Sequence, residues 1–99
     1  MSAPAAVRRR IRVAGRVQGV GFRYFVQSVA RNLGVVGWVR NEPDGSVLAE
    51  AQGAAPAVEA FLGHVRQGPA HAHVTDAAVT ELPCREPAET AFTIERGLR

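Results

Sequence analysis

Residues 11–34, IRVAGRVQGVGFRYFVQSVARNLG, change their hydrophobic period from about two to about 3.6 within a single turn of chain. Upstream, across Val7 to Ala14, Ile11 and Val13 fall on one side of an extended chain and Arg8, Arg10 and Arg12 on the other, the alternation of a half-buried strand. Downstream, Phe22, Phe25, Val26, Val29, Ala30 and Leu33 recur at helical spacing, and Gly34 stands where a left-handed residue closes a helix. Between the two lies a turn containing Gly19 and Gly21.

Working outward, Val35 to Asn41 (VVGWVRN) is rich in β-branched and aromatic residues, and Glu42-Pro43-Asp44-Gly45 supplies turn chemistry before a second strand at Ser46 to Gln52. Pro56 suits the first turn of another helix, with Val58, Phe61, Leu62 and Val65 as its apolar stripe and Gly68-Pro69 as its stop. His73 to Leu82 reads as a fourth strand. Ala91 to Arg96 reads as a short fifth, with Phe92 and Ile94 facing inward. The order is β-α-β-β-α-β plus a terminal strand. Right-handed crossovers around each helix insert the hairpin's second strand between the first and second strands. The expected fold class is α+β: a ferredoxin-like split βαβ, mostly antiparallel, with both helices on one face.

A chain of 99 residues has room for one core, and 46% hydrophobic with 21% charged residues is the composition of a soluble globular protein rather than a disordered or membrane one. No apolar run approaches the roughly 20 residues needed to span a bilayer. The start, MSAPAAVRRRIRV, has no apolar block after its charges and does not read as a secretory signal. Met1–Ala6 is expected to be a flexible tail and residues 7–99 a single domain. One cysteine, Cys84, makes no internal disulfide, so a reducing cytoplasm is the expected location. Every basic residue is arginine; eight of the twelve precede Asn41, while every acid lies at position 42 or later. That one-sided field attracts phosphates, on a small molecule or on nucleic acid.

A strand that ends in glycines and opens a helix at about Phe22 presents unpaired N–H groups at a positive helix end, which suits a phosphate. Arg23, on the first helical turn, is placed to grip phosphate oxygens with its planar fork. The plainer reading is a tight turn followed by a solvated arginine, and short glycine motifs alone do not separate the two.

The stretch GRVQGVGFR at 15–23, followed by GVVGWVRN at 34–41, DGSV at 44–47 and Gly53, resembles the acylphosphatase family, and weaker similarity runs from Val7 to Arg96. The resemblance implies hydrolysis of the carboxyl-phosphate bond of acyl phosphates to carboxylate and inorganic phosphate. It implies a phosphate cradle at Val17, Gln18, Gly19, Val20, Gly21 and Phe22, a phosphate-binding Arg23, and an Asn41 that orients the attacking water. A carboxylate leaving group needs little acid catalysis, so positioning and electrostatics suffice. No carboxylate lies within either motif, and the substrate's own phosphate is inferred to take the water proton. No metal and no cofactor are expected, and inorganic phosphate is expected as product and inhibitor.

Other features are given plainer readings. Glu42 follows Asn41 directly, where an acid beside a dianion is unwelcome; strand alternation is expected to turn it away. His64, His71, His73 and Cys84 lack the paired spacing of a metal site and are read as surface residues. Trp38 is read as packing on the sheet, and Arg8-Arg9-Arg10 as a solvated strand edge. An RNA-binding module is the rival function for a basic ferredoxin-like sheet, but its interleaved aromatic signature is missing. Similar domains are also found fused in larger carbamoyl-transferring maturation proteins; a chain of one domain's length is expected to be the free enzyme. The partner is thus a small acyl phosphate, with no nucleic acid or membrane, and the chain is expected to be a monomer.

Overall fold

The computed structural model describes residues 5–97. The elements follow in the order β1 (Ala6–Arg16), α1 (Phe22–Leu33), β2 (Val36–Asn41), β3 (Val47–Ala54), α2 (Ala55–Gln67), β4 (His73–Leu82) and β5 (Phe92–Ile94). Both helices end at glycines: Gly34 is left-handed (φ 71°), with the Val35 amide donating to the Ala30 carbonyl, and the Gly68 amide donates to the His64 carbonyl. Phe22, Val26 and Ala30 of α1 and Val58, Phe61, Leu62 and Val65 of α2 are buried, which is the inward stripe their spacing predicts.

The strands lie in the order β4-β1-β3-β2-β5. All neighbours are antiparallel except β2 and β5, so β3 does sit between β1 and β2 and the expected ferredoxin-like α+β plan is realised. Both helices cover one face. There Ile11, Val13, Val39, Val47, Ala49 and Ala51 meet the helical stripes in a single core. Val13, Val47 and Asn41 stand abreast across β1, β3 and β2, which brings the end of β2 level with the last β1 residue paired to β3, three residues before β1 ends.

Boundaries differ from expectation where tertiary pairing decides them. Ala6 is already paired with Ala54, so β1 begins inside the segment expected to be tail; residues 1–4 lie outside the described residues. β1 continues past Ala14 because a register shift at Ala14/Gly15 lets Gly15 and Arg16 keep partners in β4. β5 is shorter than Ala91 to Arg96, since its ladder to β2 pairs only Phe92, Thr93 and Ile94 with Gly37, Trp38 and Val39. Phe92 is buried against Phe61, as its inward parity requires.

The reading of Arg8-Arg9-Arg10 as a solvated edge is wrong. β1 is an interior strand, and Arg8 is 1% exposed. β4 and β5 occupy opposite edges of the sheet, so the connection between Leu82 and Phe92 passes across the helix-free face and covers Arg8. Its guanidinium meets Glu50 (2.9 Å), Gln52 (3.1 Å) and both carboxylate oxygens of Glu89 (2.9 and 2.8 Å). Gln52 in turn accepts from the Arg85 amide and donates to the Arg85 carbonyl. A buried arginine is tolerable because its donors are filled by two carboxylates and an amide. Trp38 packs on the same face, with the Arg40 guanidinium 4.8 Å from its ring centre.

Candidate active site

Beyond Arg16 the chain dips, burying Val17, and then turns through Gly19 and Gly21, both at φ 75°. A Cβ on either glycine meets nothing within 4 Å, so what demands glycine is the left-handed backbone and not lack of room. Gly21 is the N-cap of α1, and its carbonyl accepts the first helical bond, from the Phe25 amide at 3.0 Å. The amides of Phe22, Arg23 and Tyr24 therefore have no intrahelical partner. Among the described residues no side chain caps this end, and its first turn holds no acid. The positive end of the helix is left bare.

These amides border a pocket of about 90 Å³ lined by Val17, Gly19, Gly21, Phe22, Arg23, Tyr24 and Asn41. Val17 and Phe22 are buried and form its apolar wall. Arg23 is half-buried and pairs with no carboxylate among the described residues, so its charge is available to a ligand. Asn41 reaches the pocket from the last position of β2, sharing the helix-side face of that strand with the buried Val39. Its Oδ1 is enclosed and has no hydrogen-bond partner among the described residues. Orphaned buried acceptors are uncommon, and they concentrate where a chain holds a group for a task.

Two expected loop contacts, Gln18 and Val20, do not line the pocket. The Gln18 side chain turns the other way, and its Nε2 donates to the carbonyls of Glu42 and Ser46, at 2.9 Å each. Glu42 points away from Asn41, as alternation predicts; its carboxylate takes a 2.8 Å bond from Arg40 and lies 3.6 Å from Arg12. The acid beside the pocket is thereby neutralised on the opposite face of the sheet. Asp44 holds the β2–β3 turn: the Ser46 hydroxyl and then the Ser46 amide bond its carboxylate and keep it below the usual acidic range. His64, His71, His73 and Cys84 are all exposed and away from the pocket, and no three His, Cys, Asp or Glu side chains converge among the described residues.

Two residues escaped the sequence reading. Tyr24 lines the pocket, and counting three free amides on from a Gly21 cap finds it. Gly97 is the other: a Cβ there would lie 2.5 Å from the Asn41 carbonyl oxygen, so the chain leaving β5 presses on the backbone that carries Asn41. No local pattern announces that contact.

Fold and pocket together define a ferredoxin-like α+β protein with a small, amide-bordered pocket at a helix N-terminus. The acylphosphatase family model matches residues 9–94, and the chain belongs to the acylphosphatase family, hydrolases of acyl phosphates. It is 48% identical over 90 residues to an acylphosphatase of Bifidobacterium longum, covering 91% of this chain and 93% of that one. The crystal structure of acylphosphatase from Bacillus subtilis superimposes with a TM-score of 0.85 at 44% identity, covering 90% of this chain and 98% of that chain. A full-length HypF, crystallised in its phosphate- and nucleotide-bound form, matches 97% of this chain with 13% of its own length, at 28% identity and a TM-score of 0.87.

Proposed function

We infer that this chain hydrolyses acyl phosphates by gathering positive charge around the phosphoryl group and holding one water in line with the bond to be broken. The observation that carries the reading is the convergence on one pocket of three residues whose helix amides lack an intrahelical partner, an arginine with no acid partner among the described residues and an asparagine whose amide oxygen has no partner among them. The amides around Gly19–Tyr24 and the Arg23 guanidinium bind the phosphoryl oxygens, where negative charge is spread in a loose transition state. The Asn41 carboxamide positions the water. The water oxygen attacks phosphorus, the bond from phosphorus to the acyl oxygen breaks, and the carboxylate departs with the bonding pair. The water proton passes to a phosphoryl oxygen, and the products are carboxylate and inorganic phosphate.

Among the described residues the pocket is lined by no carboxylate that would serve as base or hold a cation, since Glu42 is bonded to Arg40 on the other face. Turnover is accordingly independent of metal, and inorganic phosphate, which fits the same cup, inhibits competitively. Tyr24 is the one exposed large hydrophobic among the described residues, which supports a monomer. An exposed, unpaired Cys84 suits a reducing cytoplasm. The rival reading as an RNA-binding sheet loses its basis, because Arg10, Arg12 and Arg40 of the helix-free face are paired with Glu50, Asp44 and Glu42. The test is hydrolysis of benzoyl phosphate in excess chelator with a phosphate monoester as control. Turnover of the anhydride alone is expected; activity abolished by the chelator, or no turnover at all, overturns the reading.

A further inference from the structure

A pocket of about 90 Å³ falls well short of the roughly 300 Å³ at which sites begin to enclose a whole small ligand. It takes a phosphoryl group and leaves whatever is bonded to that group outside. The remainder of the substrate lies on the rim, so the rim decides what remainder is favoured. There stands Tyr24, lining the pocket yet 68% exposed, next in sequence to Arg23 on the first turn of α1. Every other large apolar or aromatic side chain of the described residues is at least half-buried. An aromatic side chain left largely in water, on a residue that lines the pocket, contributes little to the fold, but it offers a flat face to a ligand.

We propose that the Tyr24 ring receives the acyl group and is a specificity determinant that favours aromatic and other flat apolar acyl groups over acetyl. This rests on the acyl phosphate reading above. Arg23 holds the phosphoryl end and its neighbour Tyr24 holds the acyl end, so adjacent residues of one helical turn read the two halves of the substrate. A benzoyl ring covers the phenol face, and an acetyl methyl covers little of it. The preference resides in the ring and not in the hydroxyl, so phenylalanine preserves it.

The experiment compares wild type, Tyr24→Ala and Tyr24→Phe in two measurements on the full chain. The first is the ratio of kcat/KM for benzoyl phosphate over acetyl phosphate. The second is calorimetric binding of the non-hydrolysable methylene analogues phenacylphosphonate and acetonylphosphonate. Wild type favours the aromatic member of each pair, Tyr24→Ala reduces that preference by roughly 3- to 10-fold, and Tyr24→Phe retains it. Arg23→Ala, by contrast, weakens both analogues alike. Turnover of both anhydrides at a ratio unaffected by Tyr24→Ala overturns the role of Tyr24 and leaves the hydrolase reading intact. Preferential phenacylphosphonate binding lost in Tyr24→Ala, without turnover of either anhydride, supports Tyr24 and overturns the hydrolase reading instead.

Discussion

Gln18 donates from its Nε2 to the carbonyl oxygen of Glu42 at 2.9 Å, tying the pocket loop to the residue that follows Asn41. The same nitrogen reaches the Ser46 carbonyl, so one side chain spans the loop and both sides of the β2–β3 turn. Gln18→Ala removes both bonds and releases the loop from the strand end. Stability is expected to fall by about 1–2 kcal/mol, and kcat to fall more than phosphate affinity does, because the loop amides remain while their alignment with Asn41 is lost. Urea unfolding and phosphate inhibition, measured on the same variant, check this; an unchanged kcat contradicts the positioning role.

Arg23 and Asn41 should separate in their effects. Arg23→Ala is expected to lose both turnover, by about 10²-fold or more, and inhibition by phosphate. Asn41→Ala is expected to lose turnover by a similar factor while still binding phosphate.

Asn41→Ala also carries a stability signature. The enclosed Oδ1 bonds no protein group among the described residues, so deleting it breaks no internal hydrogen bond of that oxygen and should leave Tm nearly unchanged despite the lost activity. Thermal unfolding beside benzoyl phosphate turnover reads both. A Tm several degrees lower means that the amide oxygen has a partner after all.

The network under the Leu82–Phe92 connection should dominate stability among the arginines. Arg8→Met leaves Glu50 and Glu89 facing each other without their shared cation and is expected to cost about 3–5 kcal/mol. Arg12→Met, at a side chain 43% exposed, is expected to change stability by no more than about 1 kcal/mol. Equal losses in chemical denaturation would refute the ranking.

Acid should unfold the protein partly through Glu89. The Arg8 bonds, against some opposition from burial, hold its carboxyl down to about 2, from an unfolded value of 4.5. A depressed folded value means that the stabilisation, at most about 3 kcal/mol, is complete above the unfolded value, declines as pH falls below about 5, and is gone near pH 2. At Glu50 burial opposes ionisation, but the bonds from Arg10 and Arg8 outweigh it and lower its carboxyl too, so it adds to the same slope. Glu89→Gln should flatten stability against pH between about 2 and 5; an unaltered slope assigns the acid sensitivity elsewhere.

Much of the site was legible because its parts are close in sequence. The glycines at 19 and 21, the apolar stripe beginning at Phe22 and the arginine one residue on dictate a turn, a bare helix end and a charge beside it through local backbone geometry alone. The tie made by the Gln18 side chain was not legible, for the opposite reason. Its partners are carbonyls 24 and 28 residues away, and no local pattern encodes them.

Periods of two and about 3.6, with glycines at the helix ends, determined by themselves the seven elements, their inward faces and hence the split βαβ plan, since each is a property of neighbouring residues and connection handedness. Only the tertiary structure decided which charges are buried. Arg8 reads as one more arginine in a solvated run; it becomes a core residue because its strand is interior and because a connection from one sheet edge to the other carries Glu89, 81 residues distant, across it. Gly97 against Asn41 is the same case. Such contacts depend on register and on which strands become neighbours, and the energy of filling a buried arginine's donors exists only once the sheet is assembled.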